Sequence, residues 1–529
     1  MRKNLVLILK SSCEFIRHTE DECKKNAKVL NQFFESISNF YIPLLNMFEK
    51  LETSNVYCKL GLVFSPVVCA LLEDSTIHEL YIDWLDKRCE LGRKELERCK
   101  DNSEILHQVQ LQLDKNRDLL FDFQEKYECN LIKKFSEYQQ KGFIEILATC
   151  GTDVYLPHYM DMKEIVSAQI ETGLQAYRRY FGAVPEGFWI PEMGYYPGLE
   201  GLIRAYGYSY TVLDSRSVIL SETCPTNGIF YPSRTLNSLV VFTSNFKVDE
   251  FLYGEKGVVH NPIYRNVNRD IGFDLESEDL ALVFENGDVR LSTGYKYWSK
   301  ATSNQPDVIY NEINAANCVE NDAKSFLKDA CDLLDQASSL VKEEYVTLVN
   351  TIDVEKMLQV WDEGVDWVEQ IIRNASSYSL NMATCDEMLE NQYSLEKIKP
   401  CYSSSAGAGY GENFLSNKNS WMIRYIRKAC ERMIDLADRF PTDTGLKTRL
   451  LNIGAKELLL AQSSGLAKMI DNDDSPDFAQ RRFKDSIIAF TMVFDALGSN
   501  TVSTEWLTKL ESKESIFPWM NYRIFSKKV

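Results

Sequence analysis

Gly187-Phe-Trp-Ile-Pro-Glu192-Met-Gly-Tyr-Tyr-Pro-Gly-Leu-Glu200 is the stretch on which the fold turns. Gly187–Ile190 reads as a buried strand, and Pro191, which has no N–H, ends its hydrogen-bond ladder. Glu192 then projects from the strand's C-terminal end, which in parallel barrels is where active sites are built. Similar short runs rich in β-branched residues lie on both sides: Leu5–Leu9, Leu60–Phe64, Ile144–Ala148, Tyr210–Leu213, Leu239–Phe242 and Tyr345–Val349. Several are separated by helical patterns. Such runs predict strands covered on both faces in a largely parallel sheet, an α/β barrel or a doubly wound sheet.

Between Pro66 and Pro157 there is no proline, and Ile77–Gln140 is dense in Leu, Glu, Lys, Arg and Gln at helical spacing. This predicts a helical insertion, about residues 73–142, between two strands. After Pro400 a small-residue loop, Cys401-Tyr-Ser-Ser-Ser-Ala-Gly-Ala-Gly-Tyr-Gly411, leads into amphipathic segments at Trp421–Phe440, Leu446–Met469 and Phe478–Leu497. The expected organisation is a barrel over 1–395 and an α-helical bundle over 396–529. A chain of 529 residues has room for both, because single cores stop growing near ~250–300 residues.

Composition narrows the function. Lys and Arg number 59 against 77 Asp and Glu, a formal charge of −18, which argues against nucleic acid and anionic membranes as partners. No apolar stretch is long enough to span a bilayer, and the first apolar run stops at Lys10, too short for a signal peptide. The 14 cysteines show no Cys-x-x-Cys and no zinc spacing, which points to the reducing cytoplasm. Only five histidines occur, His18, His78, His107, His158 and His260. They leave little room for metal-centred or Ser/His chemistry, so no metal and no cofactor is expected.

Carboxylates remain. Tyr195, Tyr196 and Trp189 beside Glu192 are the residue types of a sugar site, since aromatic faces stack on pyranose rings. A second acidic strand end is Tyr345-Val-Thr-Leu-Val-Asn-Thr-Ile-Asp353-Val-Glu355, where Asp353 and Glu355 share a face if the extended backbone persists. Glycosidic chemistry needs such a pair, one acid ionised and one protonated. The competing reading is that Asp353 or Glu355 caps the following helix. Trp361 in that helix either lines a sugar subsite or packs in the core with Met357 and Val360.

Phe188-Trp-Ile-Pro-Glu192 through Asp214, Thr293-Gly-Tyr-Lys-Tyr-Trp298, Asp353-Val-Glu-Lys-Met-Leu-Gln-Val-Trp-Asp-Glu-Gly364, Ser403-Ser-Ser-Ala-Gly407 and Glu457-Leu-Leu-Leu-Ala-Gln-Ser-Ser464 stand in the order seen in glycoside hydrolase family 57. The chain most resembles the family's α-1,4-glucan branching enzyme branch, over nearly its whole length. The resemblance implies an incomplete TIM-like (β/α)7 barrel with a helical C-terminal domain, a retaining reaction on an α-glucan or other oligosaccharide, Glu192 as nucleophile and Asp353 as acid/base. Trp189, Glu355 and Trp361 are the expected substrate-binding residues.

The pocket departs from the family. Lys10-Ser-Ser12 replaces a His-x-His element, Glu14 a proline, Thr149-Cys-Gly151 a Thr-His-Gly, Asp214-Ser-Arg216 an Asp-x-His, and Leu358-Gln-Val-Trp361 a Gly-His-Trp-Trp. Ser244 replaces an arginine, His260 a glycine, Ala406 a tryptophan and Gly465-Leu466 an Asp-Trp pair. Each lost platform or charge-assisted hydrogen bond costs about 1–3 kcal/mol. Two outcomes follow: a retaining enzyme with altered subsites, or a pseudoenzyme that binds a sugar or protein. Lys10 salt-bridged between the two acids would argue against turnover.

Overall fold

The computed structural model describes residues 1–529 except 17–25, 277, 279, 284–289, 301, 303–307, 391, 500, 502, 528 and 529. His18 lies outside the described residues. Seven parallel strands form the barrel: β1 (Arg2–Ser11), β2 (Leu60–Phe64), β3 (Ile144–Leu147), β4 (Gly187–Phe188), β5 (Tyr210–Leu213), β6 (Val240–Thr243) and β7 (Tyr345–Asp353). β1 pairs with β2 and β7, β2 with β3, β4 with β5, and β5 with β6. The ring is closed by two single parallel bridges, Ala148 with Phe188 and Ser244 with Val349. All seven strands fall on the apolar runs read from the sequence, with ends shifted by a few residues.

Side chains alternate across a strand, and the alternation sorts them into two cores. Leu5, Leu7 and Leu9 face the surrounding helices, whereas Val6 and Ile8 face the barrel interior beside Val63, Leu147, Trp189, Tyr210, Val212, Val240, Phe242 and Val349. The N-terminal end of the interior is plugged by Ala383, Cys385, Met388, Leu389 and Leu395. Glu145 is buried at that end, where it accepts hydrogen bonds from the Tyr210 hydroxyl and from the Cys385 N–H at 3.1 Å.

The insertion is helical. Helices α1 (Ser75–Arg98), α2 (Ser103–Phe121) and α3 (Leu131–Gln140) start at Asp74, Asn102 and Asn130, whose side chains accept from the first-turn N–H groups. In the C-terminal part the described helices are α5 (Trp421–Arg439), α6 (Leu446–Ala461), α7 (Ser464–Asp471), α8 (Pro476–Ser499) and α9 (Thr504–Lys513), while α4 (Val354–Leu358) follows β7. The continuous helix expected over Leu446–Met469 is broken at Ser463. The extended Ser463 backbone bridges to Val154, and the Ser464 N–H donates to the Asp153 carbonyl at 2.8 Å. These bonds outweigh local helix propensity and bring α7 onto the barrel mouth.

Candidate active site

The centre is built at the C-terminal ends of β1, β3, β4 and β7. β1 and β7 run in register from Arg2 opposite Tyr345 to Lys10 opposite Asp353. Lys10 shares the inward parity of Val6 and Ile8, and Asp353 shares that of Val349, so both point into the mouth. Lys10 is 7% exposed, and its Nζ lies 3.4 Å from Asp353 Oδ2, 3.4 Å from Asp153 Oδ2 and 4.0 Å from Glu192 Oε1. A second ammonium group, Lys468 Nζ on α7, reaches Glu192 Oε1 at 3.6 Å.

Glu192 is held by strain. Its backbone is left-handed (φ 52°, ψ 23°), as is that of Met193 (φ 45°), a conformation that costs about 1–3 kcal/mol for a residue with a side chain. The Glu192 carbonyl accepts from the Ser404 hydroxyl at 2.9 Å and the Ser405 N–H at 2.8 Å. Arg216 braces that loop by donating to the Ser404 and Ala408 carbonyls, and is itself fixed by both Asp214 oxygens. Gly409 suits that loop because its backbone φ of 118° is one that residues with a side chain rarely adopt, and a Cβ there would also displace Arg216 Nη1, 2.1 Å away.

Asp353 does two jobs. Its Oδ1 accepts from the Lys356 N–H at 2.9 Å and caps α4, while Oδ2 faces Lys10. The cap is therefore present, and the second oxygen remains turned into the mouth. Burial pushes the Asp353 pKa up, but Lys10 and then Lys468 prevail and hold it below the usual carboxylate range. Burial also opposes the charge on Lys10, and Asp153, Asp353, Glu192 and Glu355 more than offset it, leaving its pKa well above the ordinary lysine value.

Glu355 does not share a strand face with Asp353, because β7 ends there and Glu355 lies in the first turn of α4. Its Oε1 accepts from the Ser11 hydroxyl at 2.7 Å and the Ser12 N–H at 3.0 Å, whereas Oε2 is buried and has no hydrogen-bond partner among the described residues. Burial, then the Asp353 charge, pushes its pKa up. Glu14, which accepts from the Ser463 hydroxyl at 2.6 Å, is pushed up to about 7 by burial. A Cβ on Gly465 would lie 2.0 Å from Glu14 Oε1, so Glu14 fills the space of a side chain at 465.

The two tryptophans proposed for sugar contact are packing residues. Trp189 is 4% exposed inside the barrel, and Trp361 is fully buried between Tyr264 and Trp367, with ring centroids 5.4 and 5.7 Å away. Neither offers a ring face to a ligand. Ser244 is buried against Thr351, Ala406 is buried and His260 is exposed. His158 is half-buried against Tyr155 and Phe414 rather than on the surface, and burial lowers its pKa to about 4.

Sequence reasoning missed Asp153 and Lys468. Asp153 had a signal, an acid two residues past Gly151 at the end of the third strand; Lys468 had none, since α7 reaches the mouth only through the break at Ser463. The exposed rim aromatics are Phe246, just beyond β6, and Tyr402 and Tyr410 in the 401–411 loop.

Acidic side chains that converge at the C-terminal ends of parallel barrel strands stand where the enzymes of this fold build their active sites, glycoside hydrolases among them. The chain belongs to glycosyl hydrolase family 57, whose model matches residues 14–398; the model for the C-terminal region of 1,4-alpha-glucan branching enzyme matches 425–525. It is 25% identical over 477 residues to the 1,4-alpha-glucan branching enzyme TK1436 of Thermococcus kodakarensis, spanning 85% of this chain and 67% of that protein. Among solved structures it resembles the alpha-amylase AmyC of Thermotoga maritima, with a TM-score of 0.90, 26% identity and 100% of both chains covered. The GH57-type branching enzyme of Pyrococcus horikoshii shares the fold at a TM-score of 0.87 and 20% identity, over 100% of this chain and 98% of that one.

Proposed function

We propose that this chain acts on an α-glucan at the barrel mouth by a retaining glycosyl reaction, with Glu192 as nucleophile and Asp353 as acid/base. The observation that carries the reading is that Glu192, on the strained turn after β4, and Asp353, at the end of β7, converge at the C-terminal mouth of the barrel; the Lys10 ammonium group of β1 that lies between them is the arrangement that argues against turnover. Glu192 would attack the anomeric carbon as the glycosidic bond breaks, Asp353 giving its proton to the departing oxygen. Asp353 would then take a proton from an acceptor hydroxyl or water, whose oxygen displaces Glu192 and restores the original configuration. Phe246, Tyr402 and Tyr410 are the rim aromatics available for stacking on the glucan. The same reading divides the chain into a barrel unit, 1–395, and a bundle, 396–529, and assigns it to the cytosol, a choice supported by the free thiols of the described cysteines.

One observation favours a second reading, glucan binding without turnover: Lys10 and Lys468 hold Asp353 ionised, whereas the first half-reaction needs its proton. Incubation with amylose and glycogen separates the two. The catalytic reading expects shortened chains, new branches or reducing ends with the wild type and none with Glu192→Gln. Identical behaviour of both proteins across a panel of α-glucans would reject it. A glucan-dependent rise in melting temperature with no product would then favour binding alone.

A further inference from the structure

Three carboxylates stand within 4.0 Å of Lys10 Nζ, and the side chain that carries it is 8% exposed. This is not a surface lysine that happens to find an acid. Strand register sets it opposite Asp353, strand parity turns it inward, and the strained turn at Glu192 brings the third oxygen to it. In a two-carboxylate glycosyl reaction the sugar acquires positive charge at the anomeric carbon, between the nucleophile and the acid.

We infer that Lys10 is the specificity-determining residue of this centre: its ammonium group takes the place of the cationic anomeric carbon, so a sugar reaches Glu192 and Asp353 only by displacing it. The inference rests on the proposed assignment of Glu192 and Asp353 as the sugar-facing pair. A mobile surface cation could yield readily, but Lys10 cannot leave without exposing three carboxylates to one another in a recessed site. Its raised pKa keeps the charge in place at neutral pH. Lys468, half-exposed and touching only one of these oxygens among the described residues, makes a natural contrast.

Two consequences separate this role from ordinary structural pairing. The wild-type centre, already holding a cation, discriminates against a basic sugar analogue. The same centre without the Lys10 charge becomes an anionic pocket that selects such an analogue.

The test is calorimetric titration of 1-deoxynojirimycin, a basic glucose analogue, and of neutral maltotriose into wild type, Lys10→Met, Lys10→Gln and Lys468→Met at pH 7. Deoxynojirimycin is expected to bind at least tenfold more tightly to both Lys10 variants than to wild type, with maltotriose gaining less, and Lys468→Met changing by under threefold. An unchanged deoxynojirimycin affinity in folded Lys10 variants overturns the proposal. If neither variant melts cooperatively, the wild type decides: deoxynojirimycin binding tenfold tighter than maltotriose overturns it, and weaker binding supports it. A Lys10 variant that captures the iminosugar while the wild type leaves amylose intact would reject the catalytic reading and leave this inference standing.

Discussion

Each end of the barrel sets an acid on an inward strand position, Glu145 buried and the Asp353 side chain 26% exposed, and the two environments shift them in opposite directions. At the N-terminal end Glu145 is closed in by the 383–395 plug, and burial, ahead of the Asp386 charge, pushes its pKa well above the usual carboxylate range. Its oxygens meet the Tyr210 hydroxyl and the N–H groups of Cys385 and Asp386. At the C-terminal end Asp353 is held ionised by two ammonium groups. Burial shifts an inward acid up and a paired cation shifts it down, and the two ends of this barrel show one case each.

Substituting one partner at each end gives the largest expected contrast. Lys10→Met removes the ammonium group shared by Asp153, Asp353 and Glu192, leaving Lys468 on Glu192, and is expected to lower stability by about 3–5 kcal/mol at pH 7. Glu145→Gln is expected to cost less than about 1 kcal/mol, because the amide oxygen can still accept from the two N–H groups while its NH2 donates to the Tyr210 oxygen, reversing the one bond that Tyr210 now donates. Denaturant unfolding of both variants checks this. A Glu145→Gln cost matching that of Lys10→Met would mean that the lower acid is ionised too, and the contrast would collapse.

Glu14 sharpens the comparison, being a mouth residue that behaves like Glu145. Its pKa of about 7 in the folded chain, against an ordinary 4.5, means that the folded state binds more protons between these values. Stability therefore falls as pH rises from 4.5 to 7, by about 3 kcal/mol at most. Glu14→Gln keeps the acceptor for Ser463 and should flatten that slope in melting curves across the window. An unchanged slope would assign the pH dependence to other groups.

The smallest effect divides the two jobs of Asp353. Asp353→Asn retains a capping oxygen for Lys356, whereas Asp353→Ala loses it, so Ala should be less stable than Asn by about 1 kcal/mol. Equal stabilities would show that the cap adds nothing beyond the charge pairing.

Much of this was legible in the sequence. The strand runs, the proline-free helical insertion and the acids at Glu192 and Asp353 could be read because hydrophobic period, turn residues and caps act over a few residues. Trp189 is buried inside the barrel, and its place in the strand carries no mark of which face it presents. In Trp361 the helical spacing with Met357 and Val360 did point to core, and core it is. The helix break at Ser463 was invisible because Leu446–Met469 has unbroken helical character, and only the bridge to Val154 interrupts it.

The sequence by itself determined the barrel, its helical attachments and the strand ends at which acids would stand, since these follow from local patterning. Only the tertiary structure decided what those acids meet. Lys10 and Asp353 lie far apart along the chain, and Lys468 belongs to another part of the fold. Their convergence on Glu192 depends on strand register, inward parity and the docking of α7, long-range geometry that no local pattern encodes.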